Sequence, residues 1–477
     1  RRQRQMCIRD RSQDCWPIYF DKETNMRFYI ALWAGKFINF LINVIDKSRG
    51  SNFSGEKAIK IDPKMIAGFK GLDPQKTLFI TGTNGKSTSN NLIYHIFSAD
   101  GKKVISNLEG ANLMAGLATA LIKNSSLTGK VKADYFVFEV DERFLPSIYR
   151  LLPAKNILVT NLQKDQVHRN GDPDFIYRKL LPVMKEDVRL FLNNDEPRSR
   201  SFAGYNVDVV TYGVERHAET FTKDETFPTM ACPVCHGKID FEYYNNDGMG
   251  KFICSRCGIK SQAADYTVTD ADFKEKKFSV EGIEFSMPYD IPYMLYNYAA
   301  AVAVCSELGH ITVEKCAEAF KSFKNVGGRY EVLQFEGKTI KYLRIKQENP
   351  ETMQTSINII ASDPSQKMVC IGPGHIPDSL PSYTNTFYMY DCDFSELVKG
   401  DVEKYLFFTK YVCYDAAIRL KYEGVSPDKI QIIEGEDAKD ILDAIRKAKT
   451  DNIYIITWIH TFNDMQKQAR LKEKEEQ

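Results

Sequence analysis

The 477-residue sequence predicts an α/β protein: a central nucleotide-binding domain of mostly parallel sheet, an inserted four-cysteine ribbon, and a smaller doubly wound α/β domain after it. Three observations predict this. A strand, TLFI, runs into the turn TGTNGKST (Thr81–Thr88) and then into an apolar-periodic segment from Asn90 to Ala99. Two C-x-x-C units, Cys232/Cys235 and Cys254/Cys257, are separated by eighteen residues within a stretch of short polar turns. From about Gly337, strand-length apolar runs alternate a second time with helical patterns.

Length and composition set the frame. At about 100–200 residues per domain the chain has room for roughly three domains. A hydrophobic content of 43% with 27% charged residues excludes a wholly disordered chain and a polytopic membrane protein. The 64 Lys and Arg balance 63 Asp and Glu to leave +1, so there is no global field for tracking a nucleic-acid backbone. Eleven cysteines are too dilute for a disulfide scaffold, and their pairing points to a metal in a reducing, cytoplasmic setting.

Taken in order, residues 1–25 read as non-native or disordered, because RRQRQMCIRDRSQDC has no apolar core and MCIRDRS resembles a translated adapter. Residues 26–75 form an N-terminal helix and lead-in. Phe28 to Ile45 places Lys36, Asn39 and Asn43, with Lys47 beyond, on one helical face, which predicts an amphipathic helix packed on the protein body with at most peripheral membrane contact. Residues 76–335 form the central domain, with further strands at Tyr135–Val140, Ile157–Thr160, Leu190–Leu192 and Val207–Tyr212 and helices at Gly116–Lys123 and Phe175–Met184. The ribbon occupies about 228–266, beyond which the α/β rhythm is expected to return. The last domain, 336–466, has strands near Ile340–Ile345, Met368–Ile371, Phe387–Tyr390, Tyr405–Phe408, Ile430–Ile433 and Ile453–Trp458. Helices at Glu351–Ala361, Ala416–Tyr422 and Ala438–Ala448 separate them, and 467–477 is a solvated charged tail.

Chemistry concentrates in a few segments. In Gly82, Thr83, Asn84, Gly85, Lys86, Ser87 and Thr88, small residues let backbone N–H groups turn toward a phosphate, Lys86 neutralises it and Ser87 can ligate Mg²⁺. Ile80 stands where the full P-loop pattern has its first glycine. Glu139 ends an apolar strand at the sheet's carboxyl edge and is the candidate second Mg²⁺ ligand, although a strand-end acid can also be purely structural. Cys232, Cys235, Cys254 and Cys257 have the spacing of two thiolate knuckles around a structural Zn²⁺. Asn161, Asp165, Gln166 and His168 follow another strand, where α/β sheets bind ligands. Arg329 reads equally as a phosphate or ribose clamp and as a hinge salt bridge.

The segments TGTNGKST, EVDE, TNLQKDQ, LNNDEP, YNYAAAVA (Tyr296–Ala303) and GGRYE, in this order, resemble the Mur ligase family. NLEGAN (Asn107–Asn112) and the inserted cysteine ribbon look like the branch formed by the MurT subunits of lipid II isoglutaminyl synthase. The resemblance runs from about Met26 to Asp464 and implies an ATP-dependent amide ligase of cell-wall synthesis. Its substrate would be the α-carboxylate of D-glutamate in the lipid II stem peptide, with ammonia supplied by a GatD-like glutamine amidotransferase in a heterodimer. Lys86 and Glu139 would then be catalytic, and Asn297 and Arg329 would help to hold ATP. The branch also lends its partner a triad aspartate, which ungapped matching back from YDCDF places at Asp378, with Asp391 and Asp393 as alternatives. This sequence departs at YMLYN, where Met294 replaces an asparagine, and at RIKQENPETM, where a lysine-containing motif loses its glycine. The alternative reading is a folylpolyglutamate-type ligase that adds an amino acid to another carboxylate.

Overall fold

The computed structural model describes residues 22–45, 52–108, 112–165, 172–222, 230–246, 248–323, 330–344, 349–373, 387–410 and 412–475. They divide into two compact units, residues up to 72 with 114–132, and residues 73–113 with 133–477. Residues 114–132, assigned from the sequence to the central domain, therefore fold with the N-terminal helices.

The first unit is built on the helices Lys22–Ile45, Phe53–Ile61 and Met114–Asn124. The long helix buries Phe28, Ala31 and Leu32, and Phe28 meets Phe69 edge to face at 5.3 Å. Gly35 permits close approach, since a Cβ there would stand 2.7 Å from Ile122 Cδ1. The described part of this helix's polar row turns toward the body of its own unit. Asn39 is buried, and Lys36 Nζ donates to the Ile122 and Ser125 carbonyls at 2.8 and 2.5 Å, capping the helix Met114–Asn124. The helix is apolar almost all round, so its polar row marks one face without saying which side meets water; the open helix-end carbonyls hold Lys36 inward. Lys47 lies outside the described residues.

The second unit holds a nine-stranded sheet of β1 (Thr77–Thr81), β2 (Val104–Ser106), β3 (Tyr135–Glu139), β4 (Asn156–Val159), β5 (Arg189–Asn193), β6 (Val209–Val214), and, beyond the cysteine hairpin β7 (Ile239–Asn246) and β8 (Met249–Cys254), β9 (Tyr266–Asp272), β10 (Lys277–Val280) and β11 (Ile283–Ser286). The order is β11-β10-β9-β6-β5-β4-β1-β3-β2, parallel from β2 through β9. The α/β rhythm does not return directly after the hairpin, because β9, β10 and β11 pair antiparallel as a meander. A turn at Glu281–Gly282, both at positive φ, joins β10 to β11 and leaves no length for a crossover helix.

β1 is buried at all five positions, with β3 and β4 on its two sides. The chain leaves β1 toward β2 and β3 and then crosses to β4, which makes the carboxyl end of β1 a topological switch point. Across this sheet lies the helix Met294–Glu307, buried from Met294 to Cys305; its run of alanines lets its backbone approach the strands.

The last sheet comprises β12 (Tyr330–Phe335), β13 (Lys338–Arg344), β14 (Lys367–Ile371), β15 (Val402–Phe408), β16 (Ile430–Ile433) and β17 (Asn452–Thr457), in the order β12-β13-β17-β14-β15-β16. Only the β12–β13 hairpin is antiparallel among its pairings. Phe387–Tyr390, expected as a strand, is one helical turn. A four-residue apolar run carries no period of its own, and both edges of β14 are already taken by β15 and β17. The charged tail, expected as a solvated run, is helical through Glu475 as the end of the helix Ile459–Glu475.

Candidate active site

The turn after β1 takes a backbone path that its glycines permit. Gly82 and Gly85 adopt φ of 126° and 86°, and a Cβ on Gly85 would stand 2.3 Å from Asn297 Oδ1. Gly85 then caps the helix Lys86–Ala99, whose first N–H groups face the turn's concave side.

Lys86 is buried and folded back on the loop. Its Nζ donates to the Gly82 carbonyl, to the Thr83 carbonyl at 3.1 Å and to Glu142 Oε2 at 3.2 Å. Burial alone would lower its pKa, but the carboxylates of Glu142, Glu139, Asp165 and Asp141 outweigh burial and raise it. Ser87 Oγ donates to Glu139 Oε2 at 2.7 Å, joining the loop to the end of β3. Asn107 clamps Glu139 from the neighbouring strand end, donating to its carbonyl and accepting from its N–H, both at 2.8 Å.

The segment after β4 grips the loop from the other side. Thr83 N donates to the Asn161 carbonyl at 2.8 Å, and Asn84 N to Asn161 Oδ1 at 3.0 Å. Gln163 N donates to Thr83 Oγ1 at 3.0 Å, while its side chain accepts from Asn84 Nδ2. Asn297 reaches the loop helix from the helix Met294–Glu307, accepting from Ser89 Oγ at 3.3 Å.

Glu139, Asp141, Glu142 and Asp165 are all buried around a single lysine. Asp141 also holds Arg143 through three bonds, from the Arg143 N–H at 3.0 Å and from the guanidinium at 2.9 and 2.7 Å, and these offset its burial so that its pKa is lowered. Ser87 Oγ and Glu139 Oε2, in contact, are two hard oxygen donors of the kind a divalent cation takes.

LNNDEP supports this floor. Asn193 Nδ2 donates to the Thr160 carbonyl at 3.1 Å, and Glu196 accepts from Leu162 N at 3.2 Å and from the N–H groups of Arg198 and Ser199. Asp195 is buried, and burial pushes its carboxyl up to about 7 against bonds from Val214 N, Tyr296 and Asn194.

The C-terminal sheet's domain touches the same floor. Asn349, the cap of the helix Pro350–Ser362, accepts from Thr352 N at 2.8 Å and donates to Asp165 Oδ1 at 3.2 Å and to the Lys164 carbonyl at 3.1 Å. Lys164 pairs with Asp391 at 3.2 Å, whereas Asp393 accepts from Ser395 N and its own N–H donates to Gln354.

The four cysteines also converge. Their sulfurs lie within 4.8 Å of one another, with Cys232 to Cys257 at 3.6 Å and Cys235 to Cys254 at 3.5 Å. A tetrahedral site with Zn–S near 2.3 Å requires sulfurs about 3.8 Å apart, so the donor set fits that ion. The N–H groups of Arg256 and Cys257 donate to the Cys254 sulfur, which offsets burial and brings that thiol down to about 6.

The structure thus brings together Gly82, Thr83, Asn84, Gly85, Lys86, Ser87, Thr88, Glu139, Asn161, Asp165 and Asn297 at one edge, with the four cysteines in a separate hairpin. Gln166, His168, Arg329 and Asp378 lie outside the described residues. Sequence reasoning assigned no role to Asn107, Glu142, Gln163 or Asn349. The first three lay inside recognised motifs, and Asn349 carried the signal of an N-cap before proline.

Comparison with known proteins places these features in context. The family of the Mur ligase middle domain matches residues 80–235, and that of the MurT ligase C-terminal domain matches residues 347–462. The MurT subunit of lipid II isoglutaminyl synthase (glutamine-hydrolyzing) of Staphylococcus aureus strain COL is 27% identical over 382 residues, covering 79% of this chain and 84% of that protein. The same subunit of Streptococcus pneumoniae strain R6 is 25% identical over 439 residues, covering 91% and 94%. Among solved structures, a pseudomurein peptide ligase type C from Methanothermus fervidus superposes with a TM-score of 0.63 at 19% identity, covering 88% of this chain and 84% of its own.

Proposed function

We propose, from the premise that this chain belongs to the Mur ligase family, that it is the ATP-dependent ligase subunit of a two-component lipid II isoglutaminyl synthase. It amidates the α-carboxylate of D-glutamate in the stem peptide to D-isoglutamine, using ammonia released from glutamine by a GatD-like partner. The observation that carries this reading is the MurT ligase C-terminal match at 347–462, in the same chain as the buried loop lysine Lys86.

The chemistry follows from the loop. ATP transfers its γ-phosphoryl group to the carboxylate and leaves as ADP, which converts a poor leaving oxygen into phosphate. Ammonia attacks the acyl phosphate, phosphate departs and the nitrogen sheds a proton. Lys86 swings from Glu142 and the loop carbonyls to the phosphates, so the charge it meets in the transition state replaces the charge it meets at rest. The backbone N–H groups of Gly85 to Thr88, at the start of the loop helix, cradle the phosphates, and Asn297 and Arg329 hold the nucleotide. Ser87 and Glu139 would hold Mg²⁺, which supplies charge neutralisation between the phosphates. Cys232, Cys235, Cys254 and Cys257 would hold a structural Zn²⁺, with no open position for catalysis. Asp378 is the residue lent to the partner's Cys/His pair.

Co-expression with a glutaminase partner, followed by mass spectrometry of lipid II incubated with ATP and glutamine, tests the proposal. Conversion of acid to amide is expected, and free ammonia should replace glutamine. No conversion with either nitrogen source refutes it.

A further inference from the structure

The inward turn of Lys36 and Asn39 leaves the other side of the helix Lys22–Ile45 apolar. Met26, Ile30, Trp33, Phe37, Phe40 and Val44 are spaced alternately four and three residues apart and are 49–69% exposed. They form one row about 27 Å long at 1.5 Å per residue. Trp33 Nε1 donates to the Leu127 carbonyl at 2.9 Å, so the indole's polar edge is satisfied and its face is free to enter an apolar medium.

Charge identifies the medium. Residues 22–72 and 114–132 contain twelve Lys and Arg against four Asp and Glu, a net of +8 in a chain of +1, so the rest carries −7. Arg27, Lys60, Lys64, Lys70, Lys130 and Lys132 of this unit are exposed. A second copy would meet +8 with +8 across a shared apolar face. No described helix is long and apolar enough to cross a membrane. A wide apolar row on a basic unit matches instead an anionic lipid surface, where side chains such as Phe and Trp enter the acyl boundary and lysines meet headgroups.

We propose that the helix Lys22–Ile45 lies in the interface of anionic phospholipid bilayers with its Met26–Val44 row inserted. The proposal rests on exposure and charge and does not depend on the ligase reading.

Co-sedimentation of the full chain with phosphatidylcholine vesicles, with and without phosphatidylglycerol, tests it. Binding is expected to anionic vesicles, about tenfold weaker to neutral ones, and to weaken with salt. The double substitution Phe37→Ser with Phe40→Ser should weaken binding about tenfold or more. Its circular dichroism and melting temperature should not change, because both side chains already face outward. Lys60→Glu with Lys64→Glu should weaken binding to anionic vesicles only. Failure of the wild type to sediment with either vesicle overturns the proposal, as does equal binding by the Phe double variant. Light scattering that finds a dimer which this variant dissolves, without lipid binding, assigns the face to a second copy and also overturns it. Vesicle binding that appears only after removal of residues 1–21 assigns it to that segment, with the same consequence.

Discussion

Replacing Asp195 by asparagine should change how stability depends on pH between about 4 and 7. Asp195 is buried with a carboxyl raised to about 7, against an ordinary value of 3.8. Its contribution is therefore fully present below pH 3.8, where the unfolded chain is also protonated. That contribution is lost as pH rises toward 7, because the unfolded state gives up a proton that the folded state keeps. A separation of about three units at 1.36 kcal/mol each amounts to about 4 kcal/mol across this window. Above pH 7 the folded carboxyl also ionises and the loss levels off. Asparagine keeps a neutral group of the same shape and an oxygen to accept from Val214 N, whose bond to Asp195 is 2.9 Å. Asp195→Asn should therefore match wild type near pH 4 and become progressively more stable relative to it up to pH 7. Calorimetric melts of both proteins at half-unit pH steps check this. A difference in melting temperature that is independent of pH would refute the reasoning, because it would mean that Asp195 stays ionised in the folded protein.

Other outcomes follow from the same geometry. Lys86→Ala should lower ATP turnover by about 10²–10³-fold or more while leaving metal content unchanged, as measured by phosphate release and atomic absorption. Gly85→Ala places a methyl group 2.3 Å from Asn297 Oδ1 at positive φ, so nucleotide affinity and melting temperature should both fall, with about 1–2 kcal/mol from the backbone alone. Cys232→Ser removes one of four converging thiols, so by the zinc reading proposed above it should lower zinc content and the melting temperature before it alters loop chemistry, which metal analysis and calorimetry separate. Asn349→Ala removes both a helix cap and the bond to Asp165, costing about 1–2 kcal/mol. Asn349→Asp keeps the cap but sets a second carboxylate against Asp165, and should melt lower than wild type at neutral pH, which calorimetry checks.

The central fold was legible wherever a strand period led into a turn that only small residues permit. TLFI into TGTNGKST foretold β1, the loop and the helix after it, and the cysteine spacing foretold four converging sulfurs. Glu139 and Asn161 were legible for a reason of topology: β3 and β4 flank β1, so their carboxyl ends had to meet the loop. Phe387–Tyr390 was misread because four apolar residues fit a strand and a helical turn equally well. The meander β9–β11 was missed because sheet direction depends on the length of connections rather than on composition.

By itself the sequence determined which residues could do chemistry, since backbone flexibility, charge and thiolate spacing are local properties. Tertiary structure alone decided which side of each element meets water and which distant groups meet each other. It turned Lys36 inward to helix-end carbonyls, drew Glu142 onto Lys86, and brought Asn349 to Asp165 across 184 positions of chain. Those pairings depend on desolvation, which is a property of the assembled surroundings and which no single segment carries.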